Sequence, residues 1–322
     1  DSIVFIVLSS RGCFWAQKGG GCSMCGYVNA TNPKFQIKKG AIFKAFKNEY
    51  EKQFRNILVK VKVLIYTSGS FFDENEVPIY DRNLIFDYIN NRNEIVQVDV
   101  ETTINFISIE KLQSVKRILR KKLCIAIGLE SSNLYIRDVL INKPHFTNKE
   151  FGLKCKQIRK FAKLKVNLVL KPMCLTESEA IEDVINSVDF CVKQKADYVY
   201  IGGCNIQPNT LSHYLWTKNI YNPPMLISLF MISERLKRKK VEIIYGGFMD
   251  YPKPLVEMMC CIKCKEKIIF SFLDKLDKLK LSDINCDCMK KWIKEMNCKN
   301  VDSLSVRIKK VIDLLKKDEI LS

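Results

Sequence analysis

The sequence predicts an α/β fold, a partial (β/α)6-type TIM-like barrel followed by a small carboxyl-terminal module rich in cysteine. Short apolar runs alternate with longer amphipathic stretches, which is the pattern of parallel βαβ units. The chain has 322 residues, enough for one large barrel and a small appendage. Small or polar residues follow each of the first six apolar runs, as expected where the ends of barrel strands form a site.

Seven apolar runs are predicted as strands: residues 3–8, 61–66, 95–100, 123–127, 165–170, 198–201 and 241–245. The amphipathic stretches between them are predicted as helices: residues 41–60, 109–121, 148–164, 177–194 and 225–239. Thr147 and Thr176 are each followed three residues later by glutamate, which marks two helix starts as capping boxes. Periodicity alone leaves a doubly wound open sheet as the alternative to a barrel.

Two domains are expected, a barrel over residues 1–250 and a small basic module over residues 251–322. The boundary is placed near Tyr251-Pro252-Lys253-Pro254, where the strand–helix alternation stops. The module is rich in lysine and cysteine, and its one predicted strand is the run 267–270.

The net charge of +18 favours a polyanionic partner, and nucleic acid is the first candidate. The alternative is that the lysine-rich helices are solvated faces. No lysine-bearing segment has a strongly apolar aromatic face, so a membrane surface is not the expected partner.

The chain has 14 cysteines, no cleavable signal sequence and no apolar run of bilayer-spanning length. We therefore expect a reducing cytoplasm, in which cysteines serve as ligands or as buried apolar side chains. The first residue is Asp1 rather than Met, and a natural segment is expected to precede it.

Three cysteines form a loop directly after the first predicted strand: Cys13, Cys22 and Cys25, with the glycines 19–21 between the first two. Three thiolates from one loop suit a soft metal or an iron–sulfur cluster, and the odd number leaves a coordination position open. The alternative is a zinc knuckle, but a closed zinc site takes four ligands and no fourth is near in sequence.

Small or polar residues follow the later strands. They are Ser68, Gly69, Ser70, Glu101, Glu130, Lys171, Asn205 and Gln207. Because the carboxyl ends of barrel strands meet at one face, these groups are expected to surround the cysteine loop.

The cysteine loop resembles that of the radical S-adenosylmethionine enzymes. Its C-x8-C-x2-C spacing departs from the usual C-x3-C-x2-C and is similar to longer spacings in the tRNA-modifying branch near the Elongator catalytic subunit. The resemblance implies a [4Fe–4S] cluster on the three cysteines, with S-adenosylmethionine on the fourth iron. It places Ser68, Gly69 and Ser70 at the methionyl amino group. It also places Met24 in the loop's apolar position, and Glu101 and Glu130 at the methionyl group or the ribose.

Further motifs, over residues 3–292, resemble the radical proteins of archaeosine biosynthesis. They are YTSGSFFD at 66–73, IGLES at 127–131, LKP at 170–172, EAIED at 179–183, NIQPNT at 205–210 and YNPP at 221–224. In that family a synthase partner attaches lysine to a 7-cyano-7-deazaguanine base in the D-loop of archaeal tRNA. The resemblance implies that this chain cleaves the lysine-derived C–N bond to give archaeosine, through a 5′-deoxyadenosyl radical. A ferredoxin- or flavodoxin-like electron donor is then expected.

Two alternatives remain open at this point. One is another radical tRNA-modifying enzyme, either a methylthiotransferase or an Elongator-like protein. The other is a non-catalytic zinc-ribbon protein that binds tRNA. The motifs name no catalytic side chain, because the cofactor supplies the radical.

Four cysteines of the carboxyl-terminal module have ligand-like spacing: Cys261, Cys264, Cys286 and Cys288. A structural zinc ion is the prediction, with free thiols or a second cluster as alternatives and with Cys260 and Cys298 as substitute ligands.

Three polar residues are predicted to contact substrate. Lys171 follows a strand end and could bind a carboxylate, with a surface ion pair as the alternative. Asn205 and Gln207 carry amides that can read a base edge, with turn capping as the alternative for Asn205.

Overall fold

The computed structural model describes residues 2–34, 36–54, 59–248, 252–273, 279–297 and 302–320. Its seven strands are β1 (Ser2–Val7), β2 (Val61–Tyr66), β3 (Ile95–Thr102), β4 (Lys122–Glu130), β5 (Lys163–Leu170), β6 (Tyr198–Gly203) and β7 (Glu242–Gly246). Each corresponds to a predicted apolar run, with ends that differ by up to three residues.

The seven strands form one parallel sheet in the order β1-β2-β3-β4-β5-β6-β7. A doubly wound sheet reverses its strand order partway, so the doubly wound alternative is wrong. Right-handed crossovers that all run in one direction put every helix on the same face and curl the sheet. Among the described residues β1 and β7 are the two edges, and the predicted partial barrel is confirmed.

Eleven α-helices are present in the described residues: α1 (Phe14–Lys18), α2 (Ala41–Phe54), α3 (Ile79–Asn90), α4 (Ile109–Ile118), α5 (Asn148–Ile158), α6 (Glu177–Lys193), α7 (Leu211–Thr217), α8 (Leu226–Leu236), α9 (Ile262–Leu273), α10 (Asp287–Met296) and α11 (Leu304–Lys317). Those between the strands bury one face against the outside of the sheet. In α2, for example, Ile42, Phe46 and Tyr50 recur every four residues and are all buried.

Both predicted capping boxes are confirmed. Thr147 accepts a hydrogen bond from the backbone N–H of Glu150, and the Glu150 side chain accepts one from the backbone of Thr147. Thr176 and Glu179 make the same reciprocal pair at the start of α6. Each box satisfies two N–H groups that the first turn of a helix leaves unpaired.

From residue 262 onward, the described carboxyl-terminal residues are mainly helical. The run 267–270, predicted as a strand, lies inside α9, so that prediction is wrong. A four-residue apolar run fits either structure, and here the flanking residues continue a helical period. Helix α9 contacts α8, and α10 contacts α6 and α8. The domain boundary near residue 251 stays a prediction.

No helix among the described residues is both long enough and apolar enough to cross a bilayer.

Candidate active site

The cysteine loop leaves the carboxyl end of β1 and encloses a short helix. Cys13 immediately precedes α1, and the glycines 19–21 then turn the chain back toward Cys22. The N–H groups of Gly19 and Gly21 both donate to the carbonyl of Trp15, at 2.7 and 3.2 Å. Gly20 and Gly21 have φ of 74° and 80°, a region that favours glycine. The long spacing between the first two cysteines therefore accommodates α1 and its glycine turn.

The segment that follows β4 anchors this loop. Trp15 Nε1 donates to the Asn142 carbonyl at 2.6 Å, and Asn142 Nδ2 donates to the Gly21 carbonyl at 2.8 Å. Ser23 donates from its N–H to the Ile141 carbonyl at 2.8 Å and from Oγ to the Leu140 carbonyl at 2.6 Å. These bonds hold the loop over the mouth of the barrel.

The Ser68-Gly69-Ser70 turn after β2 packs directly on the first cysteine. A Cβ atom at Gly69 would lie 2.8 Å from Cys13 Cα and 2.5 Å from Glu76 Oε1. Only glycine allows the turn and the cysteine loop to approach this closely. The glycine therefore brings the turn into direct contact with the backbone of Cys13.

A buried carboxyl group, Glu76, lies beneath that turn. Its Oε1 accepts from the Ser70 N–H at 2.7 Å, and its Oε2 accepts from Ser10 Oγ at 2.9 Å. Burial raises the pKa of Glu76 to about 7. Sequence reasoning missed this residue because the motif that contains the turn ends at residue 73.

Glu101 and Glu130, predicted at the cofactor, come together at the mouth with a lysine that sequence reasoning missed. Lys143 Nζ donates to Glu130 Oε1 at 2.6 Å, and both side chains are largely buried. Burial alone would lower the pKa of Lys143, but Glu130, Cys22 and Glu101 outweigh it and raise that pKa. The pKa of Glu101 is also raised, mainly by burial and secondly by the charge of Glu130.

The three thiols of the loop are near enough to influence one another electrostatically, and three thiolates from one loop are a donor set that an iron–sulfur cluster takes. Burial raises the pKa of Cys22 to about 11 and that of Cys25 to about 12, and it also raises that of Cys13. Desolvated thiolates need a cationic partner, and cluster iron supplies one. Met24, between the last two cysteines, is half-buried and packs against the core.

The loop after β6 reaches the other side of the cysteine loop. Gln207 packs against Gly26, where an added Cβ atom would lie 2.9 Å from Gln207 Cγ. Gln207 Nε2 donates to the Pro252 carbonyl at 3.1 Å, while within the described structure its buried Oε1 accepts no hydrogen bond. Asn205 Nδ2 donates to the Gly247 carbonyl at 3.1 Å. Both amides therefore lie at the mouth, where the sequence placed them.

Lys171 lies at the same edge of the sheet, but its ammonium group forms an ion pair with a buried glutamate. It adopts φ of 58°, and Nζ donates to Glu177 Oε1 at 2.8 Å. Glu177 is fully buried and also accepts from Ser228 Oγ and from the Met225 N–H. The ion pair considered for Lys171 is present, although it is buried rather than on the surface. A substrate contact for Lys171 stays a prediction.

The four carboxyl-terminal cysteines form a separate cluster. The sulfur atoms of Cys261, Cys264 and Cys286 lie within 4.8 Å of one another. Cys264 and Cys286 have sulfur atoms 2.9 Å apart, and the Cys261 N–H donates to Cys288 Sγ at 3.0 Å. The thiols of Cys261, Cys264 and Cys286 lie close enough together to hold a single metal ion. Cys298, a substitute ligand, lies outside the described residues.

Comparison with known proteins identifies relatives that match most of the chain. It is 33% identical over 303 residues to archaeosine synthase subunit beta of Methanosarcina acetivorans, covering 90% of this chain and 83% of that protein. It is 32% identical over 239 residues to archaeosine synthase subunit beta of Thermococcus kodakarensis, covering 73% and 72%. A scan against protein-family models found no match.

Two solved structures share the fold. Elp3 of Methanocaldococcus infernus aligns with a TM-score of 0.55 at 13% identity, over 85% of this chain and 63% of that one. Queuine lyase from Clostridium spiroforme, bound to S-adenosylmethionine and queuine, aligns with a TM-score of 0.50 at 19% identity, over 76% and 90%. At these identities the likeness extends to the fold alone.

Proposed function

We propose that this chain, which belongs to the archaeosine synthase subunit beta family, is a radical S-adenosylmethionine lyase that acts on tRNA. In this proposal it cleaves the lysine-derived C–N bond of lysine-modified 7-cyano-7-deazaguanine and leaves archaeosine. The observation that carries the proposal is the convergence of the cysteine loop, the Ser68-Gly69-Ser70 turn and the Glu130–Lys143 pair at the mouth of one barrel.

The cofactors follow from the donor groups. Cys13, Cys22 and Cys25 would hold a [4Fe–4S] cluster, and S-adenosylmethionine would occupy the position that three thiolates leave open. When bound, the two together supply the radical that removes a hydrogen atom from the substrate, which no side chain can do by acid–base chemistry.

The chain's own residues position the reactants and exclude water. In the proposal the Ser68-Gly69-Ser70 turn, fixed by Glu76, meets the methionyl amino group. Glu101 and Glu130 bind the methionyl group or ribose, with Met24 as an apolar wall. Trp15, bonded to Asn142, shields the loop from solvent.

Substrate binding is proposed for the opposite rim. Gln207 Oε1 is a buried acceptor beside the cysteine loop, and a base edge offers the N–H donor that it lacks within the described structure. Asn205 would support it, and Lys171 is retained as a candidate for a carboxylate. The charge of +18 suits the tRNA backbone. Binding should therefore weaken steeply with salt, as measured by filter binding, and salt-independent binding would contradict lysine–phosphate contacts.

The proposed partners are a lysine-transferring synthase subunit and an electron donor of the ferredoxin or flavodoxin type. The first follows from the family relation and the second from the electron that the cluster requires. We further propose zinc for the carboxyl-terminal thiols, because four thiolates close a tetrahedral site.

The deciding experiment uses the full chain reconstituted with iron and sulfide without oxygen. It is incubated with lysine-modified tRNA, S-adenosylmethionine and a reductant, and the nucleosides are then analysed. Archaeosine should form with the native chain and not with Cys22→Ala. Cleavage of S-adenosylmethionine without archaeosine would keep the radical chemistry and refute the substrate. Failure to bind about four irons would refute both.

A further inference from the structure

A segment from the carboxyl-terminal part of the chain runs along the loop that follows β6. This clamp segment comprises residues 252–261. The Ile206 N–H donates to the Val256 carbonyl and the Leu255 N–H donates to the Ile206 carbonyl, both at 2.8 Å, as in an antiparallel bridge. Together with the bond from Gln207 to Pro252, these contacts join the clamp segment to the loop that follows β6.

The clamp segment is also packed from both sides. A Cβ atom at Gly203 would lie 2.5 Å from the sulfur of Met258, so that side chain fills the space above the end of β6. Farther along, the Met259 N–H donates to the Pro224 carbonyl at 2.9 Å, and the Met259 carbonyl accepts from the Leu226 N–H at 3.1 Å. The segment thus lies between the loop that follows β6 (residues 204–210, the β6 loop) and the start of α8.

The clamp segment ends in the thiol cluster. Met259 is followed by Cys260 and Cys261, and the Cys261 N–H donates to Cys288 Sγ. Cys264 lies in the first turn of α9, while Cys286 is the residue just before α10. A metal ion on these thiols would therefore join the end of the clamp segment to the start of α10.

A buried chain of hydrogen bonds fixes α10 to the barrel. Trp292 Nε1 donates to Ser228 Oγ at 2.8 Å, and Ser228 Oγ donates to Glu177, which also accepts from Lys171. The cysteines at the start of α10 are therefore fixed relative to the barrel. A metal ion bound to them would hold the clamp segment in place.

The β6 loop contacts the cysteine loop directly, so the position of the clamp segment affects both loops. Gln207 packs on Gly26, directly after Cys25. Asn29 Nδ2 donates to the Pro208 carbonyl at 2.6 Å, and the Ser212 N–H donates to the Ser23 carbonyl at 3.2 Å. Anything that loosens the β6 loop therefore frees one wall of the cysteine loop.

We propose that zinc bound by Cys261, Cys264, Cys286 and Cys288 holds the clamp segment against the β6 loop and so positions Gln207 beside the iron–sulfur loop. The inference rests on the zinc site proposed above and not on the reaction. In this role the ion is a positioning element of the active site, and the two metal sites are mechanically linked.

The test is hydrogen–deuterium exchange on the full chain, with metal content measured by mass spectrometry. The native protein should contain about one zinc ion per chain, and Cys264→Ser/Cys286→Ser should contain none. In that variant, exchange at residues 203–208 and 22–29 should be faster by at least about tenfold, which corresponds to about 1.4 kcal/mol. Exchange in α2 should not change, and Cys174→Ser, which alters a thiol outside the cluster, should match the native protein.

A second variant separates the clamp from the metal. Met258→Ala should keep its zinc and still show faster exchange at residues 203–208. If the double cysteine variant exchanges rapidly everywhere, zinc is instead removed from the native chain by a chelator and the same local change is expected. A native protein without zinc, or a zinc-free protein with unchanged exchange at the β6 loop, would overturn the proposal. None of these readouts depends on catalysis, so failure of the proposed reaction would be seen separately.

Discussion

The two cysteine sites of this chain are built in opposite ways. The amino-terminal site has three thiols on one loop, held from outside by Asn142, Gly69 and Gln207 and facing the Glu130–Lys143 pair. The carboxyl-terminal site has four thiols at the starts of two helices. Three of its sulfur atoms lie within 4.8 Å of one another.

The comparison separates two kinds of thiol site. We call the amino-terminal one the open site, because its proposed ligands leave a coordination position free, and the carboxyl-terminal one the closed site, because its four thiols would occupy every position. Four converging thiolates complete the coordination of one ion and leave no position for a substrate. In the proposed function, three thiolates leave a coordination position open, and the glycine turn, two carboxyl groups and an ammonium group beside it would bind a polar ligand. The predictions below test each half of this contrast.

The largest effect is expected from the open site. Cys22→Ala removes one of the three proposed cluster ligands, and cleavage of S-adenosylmethionine by the reduced protein should fall below detection. The measurement is 5′-deoxyadenosine production together with iron content. Cys174→Ala, a thiol outside both sites, should keep both values. Cleavage by Cys22→Ala at the native rate would show that the ligand assignment is wrong.

The next effect concerns the charges around the open site. Lys143→Met would leave Glu130 buried beside Glu101 without its cation. Losing one partner of a buried pair costs about 3 kcal/mol or more in the free energy of unfolding. The matched control is Lys163→Met, whose pair with Asp197 is 56% exposed on the lysine side and should be worth about 0.5 kcal/mol. Equal losses in urea titrations of the two variants would contradict the burial argument.

The carboxyl group beneath the open site should make stability depend on pH. The pKa of Glu76 is about 7 in the folded protein against an ordinary value of 4.5, so the folded state binds the proton more tightly. Its contribution to the free energy of unfolding is complete below pH 4.5 and is lost as the pH rises through 7. Relative to Glu76→Gln, the native protein should lose on the order of 3 kcal/mol across that window. Parallel curves for the two proteins would show that the carboxyl group is not desolvated.

The smallest effect belongs to the closed site. Trp292→Phe removes the hydrogen bond that ties α10 to Ser228, and the free energy of unfolding should fall by about 1 kcal/mol. In a Ser228→Ala background the same substitution should cost close to nothing more, because the partner is already gone. Additive losses in the double variant would mean that Trp292 acts through packing rather than through that bond.

Much of the site was predictable because strand ends converge. The positions of Ser68, Glu101, Glu130 and Gln207 follow from seven apolar runs and the geometry of a parallel barrel. Lys143 and Glu76 were not predictable, because each acts at the mouth through a contact between parts of the chain that no motif joins. The run 267–270 was misassigned because four apolar residues carry no distinguishing period.

The sequence by itself determined the order of strands and helices, the two groups of cysteines and the positive charge, since these depend on residue type and local spacing. Only the tertiary structure decided which groups meet. It placed α1 inside the cysteine loop, turned Lys171 toward the buried Glu177 and brought Lys143 to Glu130. It also laid the clamp segment beside Gln207. The reason is physical: spacing along the chain constrains neighbours within a few residues, whereas contacts between strand ends depend on the curvature and packing of the whole barrel.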